Sequence, residues 1–191
     1  RVYKRNITFQ TGWEQLGFDL FGTHYLGRFG DAVDISADGS RIVVGAPDAG
    51  TDLFRAGSVK IYDWSGFFWN QTKVIEGIIP SQSLGFSLSF DDAGTSLAIG
   101  SPGHSITTID GSTVTTTNVG KTSVYKLGVS WDLIGSEIED GPTDKRNGTS
   151  VSISSDGKTL AVGSSLGGVR VYKLTTSNTW GLKGSQILSN V

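Results

Sequence analysis

Residues 29–47 read Phe-Gly-Asp-Ala-Val-Asp-Ile-Ser-Ala-Asp-Gly-Ser-Arg-Ile-Val-Val-Gly-Ala-Pro, two apolar runs either side of an Asp-Gly step. The first run alternates through Val33 and Ile35, and the second is nearly continuous through Ile42, Val43 and Val44, so both predict short strands rather than helix. The Asp-Gly between them suits a two-residue hairpin turn, because glycine takes positive φ without steric cost. The same pattern returns at 84–102 (LGFSLSFDDAGTSLAIGSP) and at 147–165 (NGTSVSISSDGKTLAVGSS).

A second half follows each copy: GSVKIYDW (57–64), KTSVYKL (121–127) and GGVRVYKL (167–174), each leading to a tryptophan at 69, 131 or 180. The opening RVYKRN and WEQLG repeat that second half, with Tyr3 and Trp13 in the places of Tyr62 and Trp69. Four short strands, A to D, are therefore expected per unit of about 50 to 60 residues, the layout of a β-propeller blade. About three and a half blades are expected, as a partial blade over 1–26 holding C and D only, then blades over 27–79, 80–140 and 141–191, all one domain. A ring needs more, and with no methionine and a start in mid-strand the sequence reads as a fragment of a larger ring or a processed form.

Sixteen Lys and Arg against 18 Asp and Glu give no basic excess for a phosphate backbone, so nucleic acid is not an expected partner. No apolar run approaches the roughly 20 residues of a membrane helix, and membrane insertion by this segment is not expected. With no cysteine, disulfides and thiolate chemistry are excluded. Of the two histidines, His24 and His104 fall in different units with no partner at a recognisable spacing, so no catalytic residue and no enzyme activity are expected. Glu137, Glu139, Asp140 and Asp144 form an acidic patch, read as a solvated loop rather than a cation site.

The repeat resembles FG-GAP, the unit of integrin α-subunit propellers, in Phe29-Gly30 and Gly45-Ala46-Pro47, in Gly85 with Gly100-Ser101-Pro102, and in Gly148 with Gly163. The resemblance implies an extracellular or cell-surface β-propeller. FG-GAP repeats of the integrin type often carry a calcium loop between A and B. Here Asp31, Asp34, Asp38, Asp91, Asp92 and Asp156 lack the alternating spacing, so calcium is disfavoured, no cofactor is expected, and the aspartates read as turn formers.

The connections after strand B vary most, so contacts are expected there: Phe54 and Arg55 in the first, and Ile106, Thr108, Thr115 and Thr117 in the long insert of the second. Phe18, Phe21, His24 and Tyr25 make a further aromatic cluster, read first as a buried socket between blades and otherwise as an anchor. Sequons at Asn6, Asn70 and Asn147 suggest a secreted glycoprotein, with Asn147 the most crowded. The expected function is a non-enzymatic adhesion or structural assembly module with protein partners or self-assembly. The alternatives are a carbohydrate-binding propeller, with Tyr25 or Phe54 stacking on sugar, and an accessory propeller domain of a larger enzyme.

Overall fold

The computed structural model describes residues 1–5, 12–50, 53–139 and 146–188. It is all-β, with every strand pair antiparallel. A two-stranded sheet joins β1 (Tyr3–Arg5) and β2 (Trp13–Gln15). The first four-stranded sheet runs β3 (Val33–Ile35), β4 (Arg41–Ala46), β5 (Ser58–Trp64) and β6 (Trp69–Glu76). The second runs β7 (Ser87–Phe90), β8 (Ser96–Ser101), β11 (Lys121–Leu127) and β12 (Trp131–Leu133), with β13 (Ile138–Glu139) also on β11. The third runs β14 (Asn147–Ile153), β15 (Thr159–Ser164), β16 (Gly168–Leu174) and β17 (Trp180–Leu182). Between β8 and β11 the chain leaves the sheet as a hairpin of β9 (Ser105–Asp110) and β10 (Thr113–Asn118).

The second strand of each unit is apolar on both sides because it feeds two cores. Ile42 and Val44 of β4 face back into a core with Tyr62, Trp69, Val2 and Leu16, while Val43 faces forward into one with Leu97, Ile99 and Trp131. One unit on, Leu97 and Ile99 of β8 point back, and Ala98 points forward to meet Val151, Leu160, Val162 and Trp180. Leu97 and Ile99 thus stack on Val43, Val59 and Ile61 of the sheet before. Each fully buried Leu, Ile or Val contributes about 1.5–3 kcal/mol through the water it sheds, so these three seams hold the sheets face to face.

Gly45 and Gly100 sit at the closest approach. A Cβ on Gly45 would collide with the carbonyl oxygen of Gly85, and one on Gly100 with that of Gly148. These are packing glycines between sheets.

The A–B turns depart from the expected two-residue form. Ile35 pairs with Ile42, and the Ser36 amide donates to the Arg41 carbonyl (2.9 Å), which leaves a four-residue loop over 37–40. The reason lies in the side chains: Asp38 Oδ1 accepts from the Ser36 hydroxyl (2.6 Å) and the Ser40 amide (3.0 Å), satisfying groups that a tighter turn would have paired through backbone. Those bonds hold the Asp38 carboxyl down at about 2. Asp156 repeats the arrangement with Ser154 and the Lys158 amide. In the second unit the carboxylate moves to the place of Ser36, just before the loop, where Asp91 Oδ1 accepts from the amides of Thr95 (2.6 Å) and Ser96 (2.9 Å).

Candidate functional site

The connections after the second strands and those entering the first strands converge on one rim. There they line a cleft of about 290 Å³ with Arg55, Ser81, Ser83, Asn118, Arg146 and Thr149 on its walls. Phe86 supplies an aromatic wall. Three backbone bonds zip the first two connections together: the Ser81 amide donates to the Phe54 carbonyl (2.7 Å), the Ser83 amide to the Arg55 carbonyl (3.1 Å) and the Leu84 amide to the Ala56 carbonyl (3.0 Å).

Four of the six described non-glycine residues with positive φ line this cleft: Arg55 (52°), Ser81 (60°), Ser83 (55°) and Arg146 (52°). Side chains resist this region, at a cost of order 1–2 kcal/mol each. Ser83 and Arg146 share their conformation with Arg28, since all three precede the x-Gly that opens a unit, so that part belongs to the repeat. Among the described residues Arg55 and Ser81 have no such counterpart, and their strain is local to the cleft.

Arg55 is held by Asp48, whose Oδ1 accepts from Nε (2.9 Å) and the terminal nitrogen (2.8 Å), and its guanidinium lies 6.0 Å from the exposed Phe54 ring. Arg146 is exposed and has no ion pair among the described residues, while its carbonyl accepts from the Thr149 hydroxyl (2.7 Å). Two guanidinium groups, several hydroxyls and an amide around a cleft of this size form a donor-rich site with an aromatic wall. Its chemistry suits an anion carried on a polar, ring-shaped ligand.

The hairpin β9–β10 stands beside the cleft, with Asn118 at its foot. Ile106 pairs with Thr117 and Thr108 with Thr115, so these four expected contact residues share one face of it. Phe18, Phe21 and Tyr25 are not a buried socket. All three are exposed, Tyr25 by 95%, and no ring contact joins them. Tyr25 and Leu26 lie exposed in a turn, whereas Leu16 and Leu20 of the same segment pack against the core. The His24 ring lies 3.2 Å through Nδ1 from Thr23 Oγ1, and the residue borders a separate small cavity with Glu76.

Asn70 is exposed on β6, but Asn147 is 2% exposed and its Oδ1 accepts from the Thr122 hydroxyl (3.1 Å), which leaves no path for a glycan in the folded chain. Asn6 lies outside the described residues. Among the described residues no group of three or more His, Asp or Glu is placed to hold a metal ion, and no helix is long and apolar enough to cross a membrane.

The acidic patch is not a free solvated loop over its described part. Glu137 pairs with the buried Lys121 (2.9 Å) and accepts from Ser123, and Glu139 accepts from His104 Nε2 (3.1 Å). Asp140 and Asp144 lie outside the described residues. Sequence reading passed over this pairing because β13 reaches β11 only after the 105–118 hairpin has left the sheet.

His104 is 6% exposed, and its Nδ1 has no partner. Protonation would put a second N–H where nothing accepts it. Burial lowers its pKa, Lys121 lowers it further, and Glu139 and Glu137 offset this only in part. Above the unfolded value near 6.5 both states are neutral and the group is silent. As pH falls through that value the unfolded chain takes up the proton first, so stability drops until the folded-state pKa is passed. Urea unfolding at pH 7.5 and pH 5 is expected to show this loss, and His104→Gln to reduce the difference.

No family profile matches the chain, and no curated protein matches it in sequence. Solved structures do match: 156 chains share the fold, too many for the fold alone to select an activity. One is the crystal structure of a protein from Bacteroides fragilis NCTC 9343 named as a 6-phosphogluconolactonase. The identity is 12% and the TM-score 0.54, over 81% of this chain and 38% of that one, so the chain spans well under half of its length. At that identity the likeness is one of fold, to a β-propeller-like protein. It corrects the expectation of an adhesion or structural assembly module, because the neighbouring structure is an enzyme-type propeller rather than an adhesion protein.

Proposed function

We propose that this chain is part of a carbohydrate-binding β-propeller whose rim cleft takes an anionic sugar, carboxylated or phosphorylated. Its three larger sheets are then blades about a common axis, the β1–β2 sheet is the outer half of another, and the repeat is of the FG-GAP kind. The observation that carries the reading is the pair Arg55 and Arg146 on the walls of one cleft, amid the hydroxyls of Ser81, Ser83 and Thr149. A guanidinium fork matches a carboxylate or phosphate face, hydroxyls and Asn118 match sugar hydroxyls, and Phe86 or Phe54 offers a ring face to the sugar. The name of the Bacteroides neighbour, which denotes action on a phosphorylated sugar lactone, supports the same ligand class. It also favours a second reading, in which this binding segment serves a larger propeller enzyme.

Titration calorimetry with 6-phosphogluconate, glucuronate and glucose tests the proposal. The two anions are expected to bind and glucose to bind at least tenfold more weakly. Arg146→Ala is expected to cost about 1.5–3 kcal/mol of binding, the range for hydrogen bonds to charged groups, with no change in thermal stability. Equal binding of glucose, or anion binding unaffected by Arg146→Ala and Arg55→Ala together, would overturn it.

A further inference from the structure

The face of the first four-stranded sheet that meets β1 and β2 is unfinished, as comparison with the two later seams makes plain. Phe90 and Ile153 are each 7% exposed, covered by the A and B strands of the sheet before, yet Ile35 at the same position is 49% exposed. Val151 is 9% exposed, yet its counterpart Val33 is 66% exposed. Gly85 and Gly148 abut Gly45 and Gly100 of the preceding sheet, whereas a Cβ on Gly30, in the same place, would meet nothing within 4 Å. These residues line a cleft of about 380 Å³ together with Tyr3. Among the described residues the strand that borders it, β1, is bonded on one edge only, while β5, β11 and β16 are bonded on both.

We propose that this cleft is an acceptor slot for a two-stranded antiparallel hairpin of the chain's own A–B pattern, contributed by a further repeat unit of the same kind. The later seams display the occupant. β15 lies along β16 with Leu160 opposite Tyr172, Ala161 opposite Val171 and Val162 opposite Arg170. Arg1-Val2-Tyr3-Lys4 repeats Arg170-Val171-Tyr172-Lys173 residue for residue, so the incoming second strand takes the same register on β1. Its small face covers Val33 and Ile35, and its glycine seats on Gly30. A second copy of this chain has no such hairpin to lend, since β4, β8 and β15 are already bonded to β5, β11 and β16.

The test places a copy of residues 147–169, which carry A, B and the shortest connection, directly before Arg1 of the 191-residue chain, restoring the Gly-Gly-Val-Arg-Val-Tyr-Lys junction of the third unit. The expected result is a higher unfolding temperature and at least tenfold slower hydrogen exchange of the β1 amides. Val33→Lys in the fused chain is expected to cancel both gains, while the same substitution in the unfused chain, where Val33 is exposed, leaves stability unchanged. Unchanged exchange and melting in the fused chain would overturn the proposal. So would a gain indifferent to Val33→Lys, or self-association of the unfused chain that Val33→Lys abolishes, since the occupant would then be a second copy.

Discussion

Gly100→Ala is expected to destabilise the chain by about 3 kcal/mol, at the upper end of what overpacking costs. The added carbon collides with the Gly148 carbonyl oxygen and with Ser87 Oγ, and the first of these is backbone that cannot rotate aside. Relief comes only by moving the second and third sheets apart, and their shared core, built on Ala98, Val151, Leu160 and Val162, has no slack for it. The bond from the Ser87 hydroxyl to the Gly148 carbonyl (2.8 Å), which ties the same seam, is lost as well. Gly163→Ala is the control. It is the same residue of the next unit, but no further sheet stands against it, and its nearest neighbour is the Ser150 Cβ at 3.3 Å. There the change is expected to stay near the ±0.5 kcal/mol of an ordinary surface substitution. Urea unfolding of the two variants measures the difference, and equal costs would contradict this account of the glycine after strand B.

Much of this architecture could be read from the sequence because it is periodic. The two-sided apolar run at Ile42–Val44 marks a strand with a core on each face, and three copies at one register turn a local pattern into a stack of sheets. Periodicity is also where legibility stops. The A–B loop looked like a two-residue turn because Asp38-Gly39 was read without Ser36 and Ser40, whose hydroxyls and amides make Asp38 a loop cap. Ser-x-Asp-Gly, at 36–39 and again at 154–157, was the available signal. Phe54 and Arg55 were legible as candidates because their connection varies between units. Arg146 was not, since an arginine before the opening of a unit reads as an ordinary surface charge. Its significance comes from Arg55, 91 positions earlier, and only the stacking of sheets brings both to one cleft. The Lys121–Glu137 and His104–Glu139 pairs were hidden for a related reason: burial turns an exposed-looking charge cluster into a set of obligate partners, and sequence does not show burial at a strand that follows a long insertion.

Trp180→Ala is expected to cost about 3–5 kcal/mol, the usual range for truncating a core tryptophan, whereas Trp13→Ala should cost less than about 1 kcal/mol. The two occupy the same place in the repeat, so composition and pattern give no reason to separate them. Trp180 is 8% exposed, packs with Leu160, Val162 and Tyr172, and donates its indole N–H to the Ile134 carbonyl of the preceding unit at 3.1 Å. Trp69 does the same to Leu16 at 3.0 Å. The glycine of each Trp-x-x-Leu/Ile-Gly motif explains the spacing: a Cβ on Gly135 would run into the Trp180 indole, and one on Gly17 into Trp64 and Trp69. Trp69 and Trp180 are thus bolts driven backward into the unit before them. Trp13 is 71% exposed and belongs to none of the three buried cores, so its removal vacates no core. Chemical denaturation of the two single variants reads the contrast directly. If Trp13→Ala proved as costly as Trp180→Ala, the energy of these tryptophans would lie within their own sheets, and the seams would have to be held by the aliphatic residues alone.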